Sequence, residues 1–282
     1  MIPLIVFTDL DDTFLSSNKI IPMENKEILN TLFHRNIYFV PCTGRAFAAL
    51  PKEIVNISEI KFIICADGAV IYKRERKESN NWALVHETSL GVDRTIFLYE
   101  HIKRNIVSPI SFNIFARGSV FTDRDSYNNL IKMDLSQPVL KLLKSTRTIV
   151  SETIPELCLR MGTVERLSIY YKDEMDGHLI KRIVNSDLTM HWTSSETKHI
   201  HILDANCSKG NALLWVCRYL NIQPKNVVFF GDSFNDISAI KAAGDGIAMA
   251  NAPLFVKKNA NHIARSNNDA GVAKYLSDIL PL

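Results

Sequence analysis

The chain has 282 residues, 46% of them hydrophobic and 22% charged, with a formal net charge of +3. This balance excludes a disordered chain, and with no basic stripe interleaved with aromatics it speaks against a nucleic-acid binder. No apolar run approaches the ~20 residues that span a bilayer, and the N-terminal run meets Asp9 too soon for a signal peptide. Five cysteines, Cys42, Cys65, Cys158, Cys207 and Cys217, stand singly without a CxxC pair, as reduced thiols of a soluble cytoplasmic protein would.

The first third of the chain alternates strand and helix. "LIVFT" predicts a buried strand, Ile28, Leu29, Leu32 and Phe33 mark one face of a helix, "IYFVPCT" predicts the next strand, a helix follows from about Arg45, and "KFIIC" is a third strand. Alternating β and α segments predict a parallel sheet with helices on both faces. The middle reads differently: the helical "DRTIFLYEHIKRN" precedes alternating strands such as "SFNIFA" and "ERLSIYY", an α+β pattern. The last third returns to alternation with "HIHIL", a helix from Ser208 to about Leu220, "NVVFFG", a helix from Phe234 to about Ala243, and "GIAMA". The expected fold is therefore α/β: a doubly wound core from residues 1–82 and 188–282, with residues 83–187 inserted as an α+β cap. Ligands of such cores bind beyond the carboxyl ends of the strands, at the topological switch point.

Four stretches place chemistry at those strand ends. In "FTDLDDTFL", Asp9 and Asp11 are two residues apart and project the same way. Two carboxylates so close need a cation between them or a proton on one, and the second condition makes a nucleophile beside a general acid. A calcium loop fails, because the sixth position from Asp9 is Phe14 instead of Gly and the twelfth is Ile20 instead of Glu. "CTGR" puts the Thr43 hydroxyl and the Gly44 amide at a strand-to-helix turn, suited to an anion or to plain capping. "GDSFND" sets Asp232 at a strand end and Asp236 four residues on, so that both carboxylates reach one point, a set suited to Mg²⁺ or to an N-cap with a solvated neighbour. Lys209 opens a helix, an odd place for a cation unless a carboxylate and a phosphate lie beside it.

Taken in order, "DLDDT", "CTGR", "SKGNAL", "GDSFNDISAI" and "GIAMANAP" resemble the haloacid dehalogenase superfamily, and the place of the insertion resembles its Cof-type phosphatases with a type IIB cap. The resemblance implies a Rossmann-like core and hydrolysis of small phosphate esters, sugar phosphates by default. It implies Asp9 as the nucleophile that becomes an aspartyl-phosphate and Asp11 as the general acid and base. Thr43, Gly44, Arg45, Asp67, Gly68, Lys209 and Asn235 would surround the phosphate. Mg²⁺ would be held by Asp9, Asp232, Asp236 and the main-chain carbonyl of Asp11, with Asn251 in support. Two departures stand out: Asp12 occupies a place often held by Gly, and in "DGA" Asp67 replaces an amide. A phospho-signalling receiver, a non-catalytic binding protein and a phosphosugar mutase compete with this reading. The mutase needs a cap that grips a second phosphate, for which Arg117, Arg124, Arg147, Arg160 and Arg166 are the candidates. The partner expected is a small phosphate ester, with neither nucleic acid nor membrane involved.

Overall fold

The computed structural model describes residues 2–280 except 78, 134, 136, 195 and 196. The chain folds into two compact units, one made of Met1–Gly44, Pro51–His86 and Ser208–Leu282, the other of Arg45–Leu50 and Glu87–Cys207. Among the described residues no helix is long and apolar enough to cross a membrane.

In the first unit five parallel strands lie in the order His262–Ala264, Asp245–Met249, Val227–Gly231, Ile5–Thr8, Tyr38–Pro41. Ile5 pairs with Val227 on one side and Tyr38 on the other. Every residue of Ile5–Thr8 and Val227–Gly231 is buried. A parallel strand covered on both faces needs apolar side chains at every position, hence the unbroken runs "LIVF" and "VVFF". Ile5, Phe7, Val40 and Phe229 pack with Leu213 and Val216 of the helix Lys209–Leu220 and with Ile240 of the helix Ile237–Ala242. Each such fully buried aliphatic side chain contributes roughly 1.5–3 kcal/mol. The bridge of Cys42 with Ile64, and the Thr43 N–H donating to the Ile64 carbonyl at 2.9 Å, carry the sheet on to Phe62–Cys65, its antiparallel neighbour Val70–Arg74 and, beyond that, Trp82–Glu87. The chain winds away from Ile5–Thr8 in both directions, so the switch point lies at the carboxyl end of that strand, where Asp9 follows.

The second unit holds a six-stranded sheet in the order Met190–Thr193, His199–Asp204, Arg166–Tyr171, Ile110–Ala116, Ser119–Asp123, Arg147–Val150. Phe112, Ile114, Leu167, Ile169, Ile200 and Ile202 on one face pack with Leu98 and Ile102 of the helix Val92–Asn105, Leu157 of Ile154–Met161 and Ile180 of Glu174–Asn185. By the twofold alternation of strands, Ser111, Asn113, Arg166, Ser168, His199 and His201 fall on the opposite face, and all six are buried.

Two expectations need correction. The strands at 190–193 and 199–204, expected in the core with everything from 188 on, belong to the second unit, where His199 pairs with Tyr170 and Ile202 with Leu167 in antiparallel register. The second unit thus runs over 87–207 instead of 83–187. The physical reason is visible in "HIHIL": its polar–apolar alternation suits an antiparallel sheet with one apolar face, whereas a parallel core strand reads apolar throughout. The helix expected from Arg45 does not form. Arg45–Leu50 goes with the second unit, with a single 3₁₀ turn at Phe47–Ala49, and a four-residue helix starts only at Lys52. Pro51 is the cause, since the residue before a proline is driven to extended backbone and Leu50 has φ −70° and ψ 145°.

Candidate active site

Asp9 ends the strand Ile5–Thr8, its amide donating to the Phe230 carbonyl at 2.9 Å. The next five residues make one wide helical turn, Leu10–Phe14, broken inside by Asp11 in extended backbone and Asp12 at φ 59°. That left-handed backbone is where Gly is easiest and Asp tolerable, which accounts for the first departure noted in the sequence. The Asp12 carboxylate is half-exposed and accepts from Lys19 Nζ at 2.9 Å.

Lys209, Asp236 and Asp9 form the centre. Lys209 Nζ donates to Asp9 Oδ1 and to Asp236 Oδ1, each at 2.6 Å. Its side chain is 0% exposed, so the two carboxylates hold the ammonium there against a large desolvation cost. Asp236 Oδ2 accepts from the Asp232 and Ser233 amides at 2.9 Å each. Both Asp236 oxygens are thereby engaged in holding Lys209 and the turn after Val227–Gly231. Asp232 Oδ1 accepts from Thr13 Oγ1 at 2.9 Å, which ties the two acidic loops together.

Ligand atoms of Asp9, Asp232 and Asp236 all lie within 4.8 Å of one another. Three carboxylates against one ammonium leave two negative charges uncompensated. Burial first, then the charges of Asp236, Asp232 and Asp11, hold the Asp9 carboxyl well above the usual carboxylate range, with Lys209 opposing. Burial and then Asp236 push Asp232 up to about 7, against the Thr13 hydrogen bond and Lys209. For Lys209, burial pulls the pKa down, but Asp236 and Asp9 outweigh it and hold the ammonium well above its ordinary value. A hard divalent cation with oxygen ligands fits this donor set and this deficit of positive charge. Cys42, close by, is no rival nucleophile, since burial pushes its thiol well up and keeps it protonated.

Phe62–Cys65 runs into a turn in which Ala66, Asp67 and Gly68 are all left-handed, at φ 50°, 57° and 101°. A Cβ on Gly68 would stand 2.3 Å from the Ser208 carbonyl oxygen, so this turn lies against the start of the Lys209 helix. Asp67 is buried, its amide donates to the Thr43 carbonyl at 3.1 Å, and its Oδ1 accepts from Asn235 Nδ2 at 2.7 Å. Ser233 Oγ donates to Asn235 Oδ1 at 2.6 Å, which fixes the orientation of that amide.

Of the residues singled out in the sequence, Asp9, Lys209, Asp232 and Asp236 meet directly, and Asp67 meets Asn235. Thr43 is buried beside the Asp67 turn, yet it opens no helix, so the expected helix-terminus anion site is missing there. Gly44 closes the first segment of this unit, whereas Arg45 belongs to the other, its Nη1 donating to the Ala49 carbonyl at 3.1 Å. Asp11 stands outside the trio and pairs with Lys19 at 3.2 Å. Asn251 Nδ2 donates to the Asp12 carbonyl at 2.8 Å and braces that loop. Thr13, Ser233 and Lys19 escaped sequence reasoning. Thr13 and Ser233 lie inside "DLDDT" and "GDSFND" and were open to it; nothing in the spacing points to Lys19.

The family model for haloacid dehalogenase-like hydrolases matches residues 6–276. The chain is similar to the putative phosphatase YxeH of Bacillus subtilis (strain 168), 28% identical over 281 residues that cover 98% of each protein. It is 24% identical over 277 residues, 96% of each protein, to the 5-amino-6-(5-phospho-D-ribitylamino)uracil phosphatase YwtE of the same organism. In fold it resembles the solved structure of a haloacid dehalogenase-like hydrolase from B. subtilis, with a TM-score of 0.84 at 23% identity, covering 98% of this chain and 100% of the other. Since the family pattern runs from the strand that carries Asp9 to the last helix, the chain belongs to the haloacid dehalogenase-like hydrolases.

Proposed function

We propose that this protein is a Mg²⁺-dependent phosphomonoester hydrolase of small phosphorylated metabolites, working through a phosphoryl group carried on Asp9. The coarser statement, that it is a phosphatase of its family, follows from membership together with relatives named as phosphatases. The observation that carries the finer reading is the buried Asp9 carboxylate held at 2.6 Å by an ammonium that Asp236 holds in turn. A nucleophile needs its attacking oxygen oriented and the charge gathering at phosphorus offset, and Lys209 does both.

In the first step an Asp9 oxygen bonds to phosphorus, the ester P–O bond breaks, and the departing oxygen takes a proton from Asp11. In the second, Asp11 takes a proton from water as the water oxygen bonds to phosphorus, and the bond from Asp9 breaks to release inorganic phosphate. Asp9, Asp232 and the Asp11 carbonyl would hold Mg²⁺, which supplies charge neutralisation along the phosphoryl transfer. Asp236, both oxygens already engaged, serves by fixing Lys209. Asn235 holds Asp67 at the edge of the phosphate site, with Thr43, Gly44 and Gly68 beside it.

Sugar and polyol phosphates are the substrate class we favour. One relative bears the name of a phosphoribityl compound. Hydrolysis is preferred to mutase chemistry because two of the arginines a mutase would need serve the fold: Arg117 donates to the Met161 carbonyl and Arg160 pairs with Glu152. The test is a panel of hexose, pentose, polyol and aryl phosphates assayed with Mg²⁺ and with excess chelator. Turnover should require the metal and vanish in Asp9→Asn; undiminished turnover in chelator would overturn the proposal.

A further inference from the structure

We infer that the first unit carries a second ligand site, a cavity at the opposite end of its sheet from Asp9, which takes a small organic phosphate dianion.

The cavity has a volume of about 420 Å³, in the range of small-molecule sites. Tyr38 lines it at the start of the strand Tyr38–Pro41, and Lys61 lines it at the residue before Phe62–Cys65. Tyr38 pairs in parallel register with Ile5, which precedes Asp9 by roughly 13 Å of strand at ~3.3 Å per residue. The cavity thus lies at the amino ends of these strands, whereas Asp9 follows a carboxyl end. Its occupant is a second ligand, out of reach of the Asp9 carboxylate.

Charge decides the class of that ligand. Lys61, Arg74, Arg76 and Lys77 line the cavity against two carboxylates, Glu59 and Glu75, which leaves two positive charges in excess. Glu59 is already engaged, accepting from Ser58 Oγ at 2.7 Å and pairing with Lys77 at 3.3 Å. Arg74 is 5% exposed, and its guanidinium donates to the carbonyls of Val55, Ile57, Ile60 and Ser79 and to Asn80 Oδ1, with its central carbon 4.3 Å from the centre of the Trp82 ring. All of these partners are neutral, so the carbonyls hold the guanidinium in place without cancelling its charge. Among the described residues no carboxylate pairs with Arg74, and a fixed, buried positive charge acts on the cavity. The same bonds tie the segment 55–60 to residues 79 and 80 and so make the wall rigid. Lys61 Nζ is placed by the Tyr38 ring, 5.1 Å from its centre. Arg and Lys are the side chains that bind phosphate, Arg through its two-pronged fork. A phosphate monoester carries about −1.5 to −2 charges near neutral pH, which matches the excess. Phe33 and Tyr38, both half-buried, offer an apolar wall to the organic part.

The probe is the phosphonate analogue of AMP, a dianion with an organic part and no ester bond to phosphorus that a phosphatase could cleave. Isothermal titration of the full chain in excess chelator leaves Asp9, Asp232 and Asp236 without a cation, a poor place for an anion, so the cavity is the site that is read. The analogue should bind once per chain, more weakly as salt rises. Burial of its organic part should make it at least ~10-fold tighter than inorganic phosphate, and its charge should make it at least ~10-fold tighter than adenosine. Lys61→Glu and Arg76→Glu, both at exposed positions, should each weaken it at least ~10-fold, the loss of one charge-assisted contact. Lys172→Glu, the same change of charge at an exposed position in the other unit, should leave the affinity nearly unchanged. Thermal melts verify that each variant folds. Binding that is absent from wild type, unchanged by Lys61→Glu and Arg76→Glu, or weakened equally by all three variants overturns the inference. None of these readings depends on turnover: an inactive protein that binds the analogue in this way overturns the phosphatase reading and leaves the second site standing.

Discussion

Asp67 has a carboxylate in a buried turn beside a site meant for phosphate. Its Oδ1 accepts from Asn235, its amide is tied to Thr43, and its backbone is left-handed at φ 57°. Asn is the one other non-glycine side chain as tolerant of that backbone, and its amide oxygen accepts from Asn235 as well. Asp67→Asn should therefore fold normally while removing an acceptor-only group and adding a donor. KM for aryl phosphate should fall several-fold with kcat nearly constant, as steady-state kinetics would show. A KM that rises for polyol phosphate alone would mean that Asp67 accepts from substrate hydroxyls. The acids of the cluster were legible one by one because a strand end and a helical turn fix where Asp9, Asp232 and Asp236 project. Lys19 was not, since its meeting with Asp11 depends on a tight turn and on Asn267 and Asn268, about 250 residues away in the chain.

The turn at 66–68 works as an element because of Gly68. It has φ 101°, and a Cβ would stand 2.3 Å from the Ser208 oxygen, 2.6 Å from the Ser208 carbon and 3.0 Å from the Lys209 amide nitrogen. Those are main-chain atoms at the start of the helix that delivers Lys209, and they cannot swing aside. Gly162, which ends the helix Ile154–Met161 at φ 71° with nothing within 4 Å of a built Cβ, is the control. Gly162→Ala should cost about 1 kcal/mol, the conformational cost alone. Gly68→Ala should cost more than ~2 kcal/mol and also depress kcat as Lys209 shifts. Denaturant melts of the two variants check the first part, and equal costs would show that the close approach is relaxed in solution. Most elements could be read from periodicity, such as the helices Val92–Asn105 and Lys209–Leu220 and the strand Val227–Gly231. Arg45–Leu50 was misread because its helical composition is overruled by one residue, Pro51.

At the scale of the molecule, the change from continuous apolar strands to alternating ones announced a second unit with its own core, while its end was misplaced because "HIHIL" was counted as a core strand. That unit also sets a pH dependence for folding. Glu165 is 1% exposed; its Oε1 accepts from the Gly118 amide at 2.7 Å, while Oε2 is buried with no hydrogen bond. Burial is the main cause that pushes its pKa up to about 7, against the Gly118 hydrogen bond. In the unfolded chain the same carboxyl titrates near its ordinary value of about 4.3. Between those two values the folded chain therefore binds more protons, so stability falls as pH rises through that window and the penalty is complete above pH 7. A shift of this size corresponds to about 4 kcal/mol at most. Glu165→Gln keeps an acceptor for Gly118 and removes the charge. Its new NH₂ group carries whatever desolvation cost it has equally at every pH, so the change with pH isolates the carboxylate. Thermal melts at pH 5 and pH 8 should find the variant gaining on wild type as pH rises, and a difference that stays flat would mean that Glu165 is solvated or paired in the folded protein.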